Sequence, residues 1–277
     1  MRSDEGGAMR QSLRFLLGVV GRAGMSLFAR IGGMDRPNRL LRRAERTTML
    51  GGLTALAQRG IVLRTVVDGG AFVGEWTKLC KSVFPDVEVL MVEPQPRHAE
   101  ALRQLSGSFG PTVRFQSRLI GAQKRDAVDF VVLDDPGGGT GSSVLPESSN
   151  IPRHTIRLPM TTLDDLIAET HFPSPDLIKL DLQGYELEVL RGASAAVKAA
   201  SFVLLEVSTW RYNAGAPLLH DVVAWMAEAG FVSYDLLGIH RRPDGVLLHL
   251  DILFVRSDSS LLDDPITIYS SFSRSES

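Results

Sequence analysis

Cysteine is almost missing from this chain: Cys80 is alone among 277 residues. That count excludes a disulfide framework and a cysteine-built zinc site, and a lone thiol reads as a small buried hydrophobe in a helix. Long apolar runs are missing as well; none approaches the roughly 18–20 residues that span a bilayer. Overall charge of one sign is also lacking, since 30 Lys and Arg stand against 32 Asp and Glu. The chain as a whole therefore carries no nucleic-acid footprint. Lysine is absent from residues 1–60, where eleven Arg face four acids for a net of +7, leaving −9 for the rest. Residues 9–31 are apolar but interrupted by Arg10, Arg14, Arg22 and Arg30, and no small-residue cleavage site follows. A secretory signal is not expected there. The stretch either packs on the domain or lies as a basic helix against an anionic membrane, and the expected location is cytoplasmic, with at most peripheral membrane contact.

What is present is an ordinary globular composition, 44% hydrophobic and 22% charged. The length suits one large α/β domain with extensions. The chain divides into a basic helical extension (1–60), a domain (61–257) and a Ser-rich flexible tail (258–277). Within the domain, strands are predicted at 62–67, 87–92, 113–116, 127–134, 156–160, 177–182 and 202–207. Helices are predicted at 75–84, 97–105, 185–199 and 218–229, and a short one opens at Thr162, with Asp165 in capping-box spacing. Alternation of the two implies a parallel sheet. The last two strands, 232–237 and 246–255, flank Pro243-Asp244-Gly245, a turn sequence that makes them an antiparallel hairpin. The glycine-rich stretch 137–143 is a loop and a candidate lid.

Two constellations carry chemistry. In the first, an apolar run ends in Asp68, followed by Gly69-Gly70-Ala71-Phe72-Val73-Gly74 and a helix opening at Glu75-Trp76. A second apolar run ends in Glu93-Pro94. Acids at the ends of two successive strands, with a small-residue turn between them, make a nucleoside pocket. A carboxylate directly before the first glycine would repel a pyrophosphate at that helix N-terminus. It would not repel the cationic amino-acid tail of S-adenosylmethionine, so Asp68 favours that cofactor over NAD. Glu93 suits ribose hydroxyls in either case.

The second constellation is Asp176-Leu177-Ile178-Lys179-Leu180-Asp181-Leu182-Gln183-Gly184-Tyr185-Glu186. Lys179 and Asp181 fall on one side of a strand. A lysine in such a strand needs a partner, for which Asp181 and Glu186 are the candidates. Asp181, at the carboxyl end of its strand, lies where ligands bind in doubly wound sheets.

These residues resemble those of the FkbM-type methyltransferases: VVDGGAFVGEW at 66–76, VEP at 92–94, TTLDDLI at 161–167, IKLDLQGYELEVLRGA at 178–193 and LLEVS at 204–208. The resemblance covers about residues 64–256. It implies a Rossmann-like, doubly wound α/β fold with a seven-stranded, mostly parallel sheet and a C-terminal antiparallel hairpin. It also implies S-adenosylmethionine as cofactor, with Asp68, Gly69, Gly70, Ala71 and Gly74 around its methionine moiety, Glu75, Trp76 and Pro94 beside them, Glu93 on the ribose and Ser117 near the adenine. Methyl transfer to a hydroxyl of a sugar, glycolipid or secondary metabolite follows. The chain departs from the family at Phe72 and Ser117, where Asn is usual, and at Gln183, where Glu is common.

An alcohol nucleophile must lose its proton. Asp181 is the first candidate base, directly or through a divalent metal, with Lys179 beside it and Glu206, at the end of the next strand, second. His154, His240 and His249 are further candidates, and Trp210, Arg211 and Tyr212 a candidate sugar platform. An NAD-linked oxidoreductase and a catalytically silent cofactor-binding protein are the alternatives.

Overall fold

A computed structural model describes residues 47–134, 138–146 and 148–263. The basic helix expected at 9–31 and the tail from 264 onward lie outside the described residues. The described chain runs α1 (Met49–Gln58), β1 (Thr65–Gly69), α2 (Glu75–Val83), β2 (Glu88–Val92), α3 (Ala99–Phe109), β3 (Val113–Gln116), β4 (Leu119–Ile120), β5 (Arg125–Leu133) and β6 (Arg153–Thr161). It continues with α4 (Leu163–Thr170), β7 (Leu177–Leu180), α5 (Glu186–Arg191), α6 (Ser194–Ala199), β8 (Phe202–Ser208), α7 (Leu219–Glu228), β9 (Phe231–Arg241) and β10 (Leu247–Arg256).

Seven strands form one sheet in the order β3-β2-β1-β7-β8-β10-β9. The first five are parallel, and β10 pairs antiparallel with both β8 and β9, which gives the expected hairpin. Side chains alternate across the strands, so Val66 and Val67 enter different cores. Val67, Ile178, Leu180 and Leu205 pack with the inner faces of α4, α5, α6 and α7. Val66, Leu177, Leu204 and Met91 pack with Leu53 and Leu56 of α1, Cys80 of α2 and Leu102 of α3. Helices thus cover both sheet faces, and α1 packs in the same compact unit as the sheet, which begins at Thr47. Among the described residues, no helix is long and apolar enough to cross a membrane.

A second, three-stranded sheet of order β4-β6-β5 was not foreseen from the sequence. Leu119, Phe130, Val132 and Met160 give it a small core that leans on Tyr185. The single helix expected at 185–199 is two, α5 and α6. The break falls at Gly192-Ala193, where a Cβ on Gly192 would lie 2.3 Å from the Gly121 carbonyl oxygen. The approach of that loop backbone leaves room for glycine alone. The strand expected at 177–182 ends at Leu180, where the Asp181 amide donates to the Gly69 carbonyl at 3.1 Å as the last rung of the pairing with β1. The start of α4 is as read from the sequence: the Asp165 amide donates to Thr162 Oγ1 at 3.1 Å.

The sheet order reverses between β1 and β7. From β1 the chain builds outward through β2 and β3, then returns to β1's other edge. Ligands of doubly wound sheets bind beyond the carboxyl ends of the strands at such a point.

Candidate active site

A cleft of about 300 Å³ opens there. One wall is the turn after β1. The Gly70 and Ala71 amides both donate to the Val92 carbonyl, at 2.9 and 3.1 Å, which ties the turn to the end of β2. Gly70 has φ +74°, and a Cβ on it would lie 2.0 Å from the Asp181 carbonyl oxygen. Glycine is required for both reasons. Phe72 follows at φ +51°, its ring edge-on to His98 at 4.5 Å. Glu93 is 3% exposed and accepts from the Phe72 and Gln95 amides, each at 3.0 Å. Burial pushes its carboxyl up to about 7, against the pull of those amides.

The facing wall is a polar network. Gln183, at φ +56°, donates through Nε2 to Asp181 Oδ1 and to Glu206 Oε2, both at 2.8 Å. Its Oε1 accepts from the Tyr212 hydroxyl at 2.8 Å. Its carbonyl accepts from Asn213 Nδ2 and, at 3.3 Å, from Ser143 Oγ. His249 Nε2 lies 3.2 Å from Glu206 Oε1. Burial, then the charges of Asp181, Glu186 and Asp251, push Glu206 well above the carboxylate range. Burial, then the charge of His240, holds His249 below the usual imidazole value. Both shifts favour the neutral forms of the two groups. His240 is raised by its hydrogen bond to Asp251 Oδ2, 2.9 Å away.

Behind the turn, Asp68 is fully buried. Its Oδ1 lies 3.0 Å from Lys179 Nζ, and its Oδ2 accepts from Thr77 Oγ1 at 2.7 Å. Parallel register places the two residues directly opposite on β1 and β7. The partner of Lys179 is therefore Asp68, not Asp181 or Glu186. Lys179 also donates to the Gly70 carbonyl at 3.2 Å and sits over the Trp76 ring. Glu186 instead turns back to its own loop, where Oε1 accepts from the Leu182 and Gly184 amides at 2.7 and 3.1 Å.

Of the residues singled out in the sequence, Gly70, Glu93, Pro94, Asp181 and Glu206 line the cleft together. Trp76 and Lys179 line a smaller cavity of about 140 Å³ that shares Asp181 and Glu206 with the cleft. Asp68, Gly69, Ala71, Gly74, Glu75 and Ser117 are not among the lining residues; the neighbour of Ser117, Arg118, is. Tyr212 turns inward to Gln183, whereas Trp210 faces solvent beneath the Arg242 guanidinium, so these two form no shared platform. His154 pairs with Asp134 on the surface. His249, expected on the hairpin, reaches the cleft because β10 inserts between β8 and β9. Leu119, Ile120 and Phe130 of the second sheet supply an apolar wall. No local pattern announces it, since it depends on how the small sheet packs. Thr140, Gly141 and Ser142, from the expected lid loop, also line the cleft. Among the described residues, no group of three or more His, Cys, Asp and Glu is placed to hold a metal ion.

A doubly wound α/β sheet with an acid-lined cleft at its switch point defines a Rossmann-like protein. The "Methyltransferase FkbM domain" profile matches residues 68–233, and the chain belongs to that methyltransferase family. It is also similar to the hexuronic acid methyltransferase AglP of Haloferax volcanii, 32% identical over 84 residues. That match covers 30% of this chain and 32% of AglP. Among solved structures, a Burkholderia thailandensis 1,6-didemethyltoxoflavin-N1-methyltransferase with bound S-adenosylhomocysteine is 13% identical, with 93% of each chain covered and a TM-score of 0.41. A precorrin-6y C5,15-methyltransferase from Geobacter metallireducens is 13% identical, with 74% of this chain and 87% of that one covered and a TM-score of 0.42.

Proposed function

We infer that this protein is an S-adenosylmethionine-dependent O-methyltransferase whose acceptor is a hydroxyl group of a sugar, glycolipid or secondary metabolite. The observation that carries this reading is the convergence of Glu93 and Asp181 on one cleft at the switch point. The donor set fits the cofactor. Each Glu93 oxygen uses one lone pair on a backbone amide and keeps another for a ribose hydroxyl. The buried Gln95 Oε1 has no partner among the described residues, which leaves an acceptor for an adenine amino group. Val92, Ile120 and Phe130 suit the purine face, and the volume falls in the small-molecule range. When bound, the cofactor supplies an electrophilic methyl group on sulfur.

The chain's own part is to bind, orient and deprotonate. Asp181 Oδ1 is held by Gln183, which leaves Oδ2 to accept the acceptor's proton. The Asp68–Lys179 pair fixes the turn from behind rather than touching ligand. The hexuronic acid methyltransferase at 32% identity agrees with a carbohydrate acceptor.

Calorimetry tests the cofactor. S-adenosylmethionine is expected to bind and NAD is not; the reverse would overturn the assignment in favour of an oxidoreductase. The pH dependence is specific. Ribose hydroxyls donate to the ionised form of Glu93, so binding drives a proton off that carboxyl. Affinity is therefore expected to rise as pH climbs through about 7, and Glu93→Gln should flatten the rise. Heats measured in buffers of different ionisation enthalpy would reveal the released proton. Equal heats in all buffers at pH 6 would remove Glu93 from the site.

A further inference from the structure

We propose that Gln183 is a positioning residue: its amide is a neutral tether that holds Asp181 and Glu206 close enough for the charge of Asp181 to bear on Glu206, with Asp181 turned to face the acceptor. The role rests on the reading of Asp181 as the base.

The geometry is specific to an amide. Gln183 offers two N–H donors and one acceptor, and all three are used: two donate to the two carboxylates and the oxygen accepts from Tyr212. Reversing the amide would set its oxygen against two carboxylates. A carboxylate here would have no hydrogen to donate, and a cation would neutralise the pair. The backbone is adapted to the task. Gln183 is one of three non-glycine residues with positive φ among those described, a conformation that costs of order 1 kcal/mol or more unless neighbours enforce it. Asn213 and Ser143 enforce it by donating to the Gln183 carbonyl.

Charges reach Glu206 from every element around it. Asp181 and Lys179 stand on or just after β7, and Glu186 at the start of α5. His249 and Asp251 lie on β10, and His240 on β9 stacks on His249 at 4.2 Å. With its proton, Glu206 can donate from Oε1 to His249 Nε2 while Oε2 accepts from Gln183. Asp181 then accepts from Gln183 at Oδ1 and lies within hydrogen-bonding reach of Glu206. Two like groups held close ionise in sequence, not together.

The test needs no acceptor. The titration of Glu206 is followed by carbon-13 carboxyl NMR in the full chain, with Glu206→Gln to assign it. Asp181→Asn should lower the Glu206 midpoint by about one pH unit or more, because a neighbouring charge is removed. In a Gln183→Met background the tether is gone, and the same Asp181→Asn change should move the midpoint much less. Equal shifts in both backgrounds would overturn the proposal. If Gln183→Met does not fold, the nearly isosteric Gln183→Glu serves: its added charge should raise the Glu206 midpoint above wild type, and an unchanged midpoint would also overturn it. Failure of the base reading looks different. Asp181→Asn would then methylate normally whatever the titrations show.

Discussion

Asp181→Asn is expected to lower methyl-transfer turnover by about 10²–10⁴-fold, the usual contribution of a positioned base. Cofactor affinity should stay within about twofold, because the groups assigned to the nucleoside lie on the opposite wall. The substitution is nearly isosteric, and Asn can still accept from the Gln183 amide, so the fold around Gly70 should persist. What it removes is the proton acceptor at Oδ2. Release of S-adenosylhomocysteine with a sugar or glycolipid acceptor measures the turnover, and calorimetry the binding. Full turnover in the variant would move the base to Glu206 or His249. Parallel loss of binding and turnover would make Asp181 a structural residue. Glu206→Gln discriminates further. Burial and the neighbouring acids favour its neutral form, which the amide mimics, so this change should cost less than Asp181→Asn does.

Lys179→Met is expected to destabilise the protein by about 3–5 kcal/mol, as for other buried pairs that lose one partner. The side chains of Lys179 and Asp68 are 8% and 0% exposed. Burial works most strongly against the ammonium, yet the charges of Asp68, Asp181 and Glu206 and the hydrogen bond to Asp68 together outweigh it and raise the Lys179 pKa above its usual value. Without Lys179, Asp68 Oδ1 is left with no partner in the core, and Thr77 holds the other oxygen alone. The carbonyl of Gly70 also loses its donor, so the turn should loosen and cofactor affinity fall with stability. Urea unfolding gives the first quantity and calorimetry the second. The double variant Asp68→Asn with Lys179→Met should recover much of the loss, since no uncompensated charge remains. A cost below about 1 kcal/mol for Lys179→Met alone would show that water reaches Asp68.

The strands of the main sheet were legible because each is a short apolar run bounded by turn residues. The hairpin was legible from Pro243-Asp244-Gly245, and the tight turn after β1 from Gly69, Gly70 and Gly74 between two strand-ending acids. Helix breaks were less so: the run at 185–199 is continuous in helix propensity, and Gly192 interrupts it because a distant backbone passes close by. The second sheet was half legible, as strands without a partner. Of the site, Glu93 and Asp181 were readable as strand-end acids. The partner of Lys179 was not, since two acids nearer in sequence competed with one 111 positions away.

The sequence by itself determined the family, through its motifs, and the doubly wound architecture. The architecture follows from periodicity and turn chemistry, both local. Only the tertiary structure decided which charges meet. Parallel register set Asp68 against Lys179, the insertion of β10 brought His249 to Glu206, and the turn after β7 aimed the Gln183 amide at two carboxylates. Each depends on distances of a few ångströms between residues far apart in the chain, where a one-residue change of register exchanges the side chains that face each other.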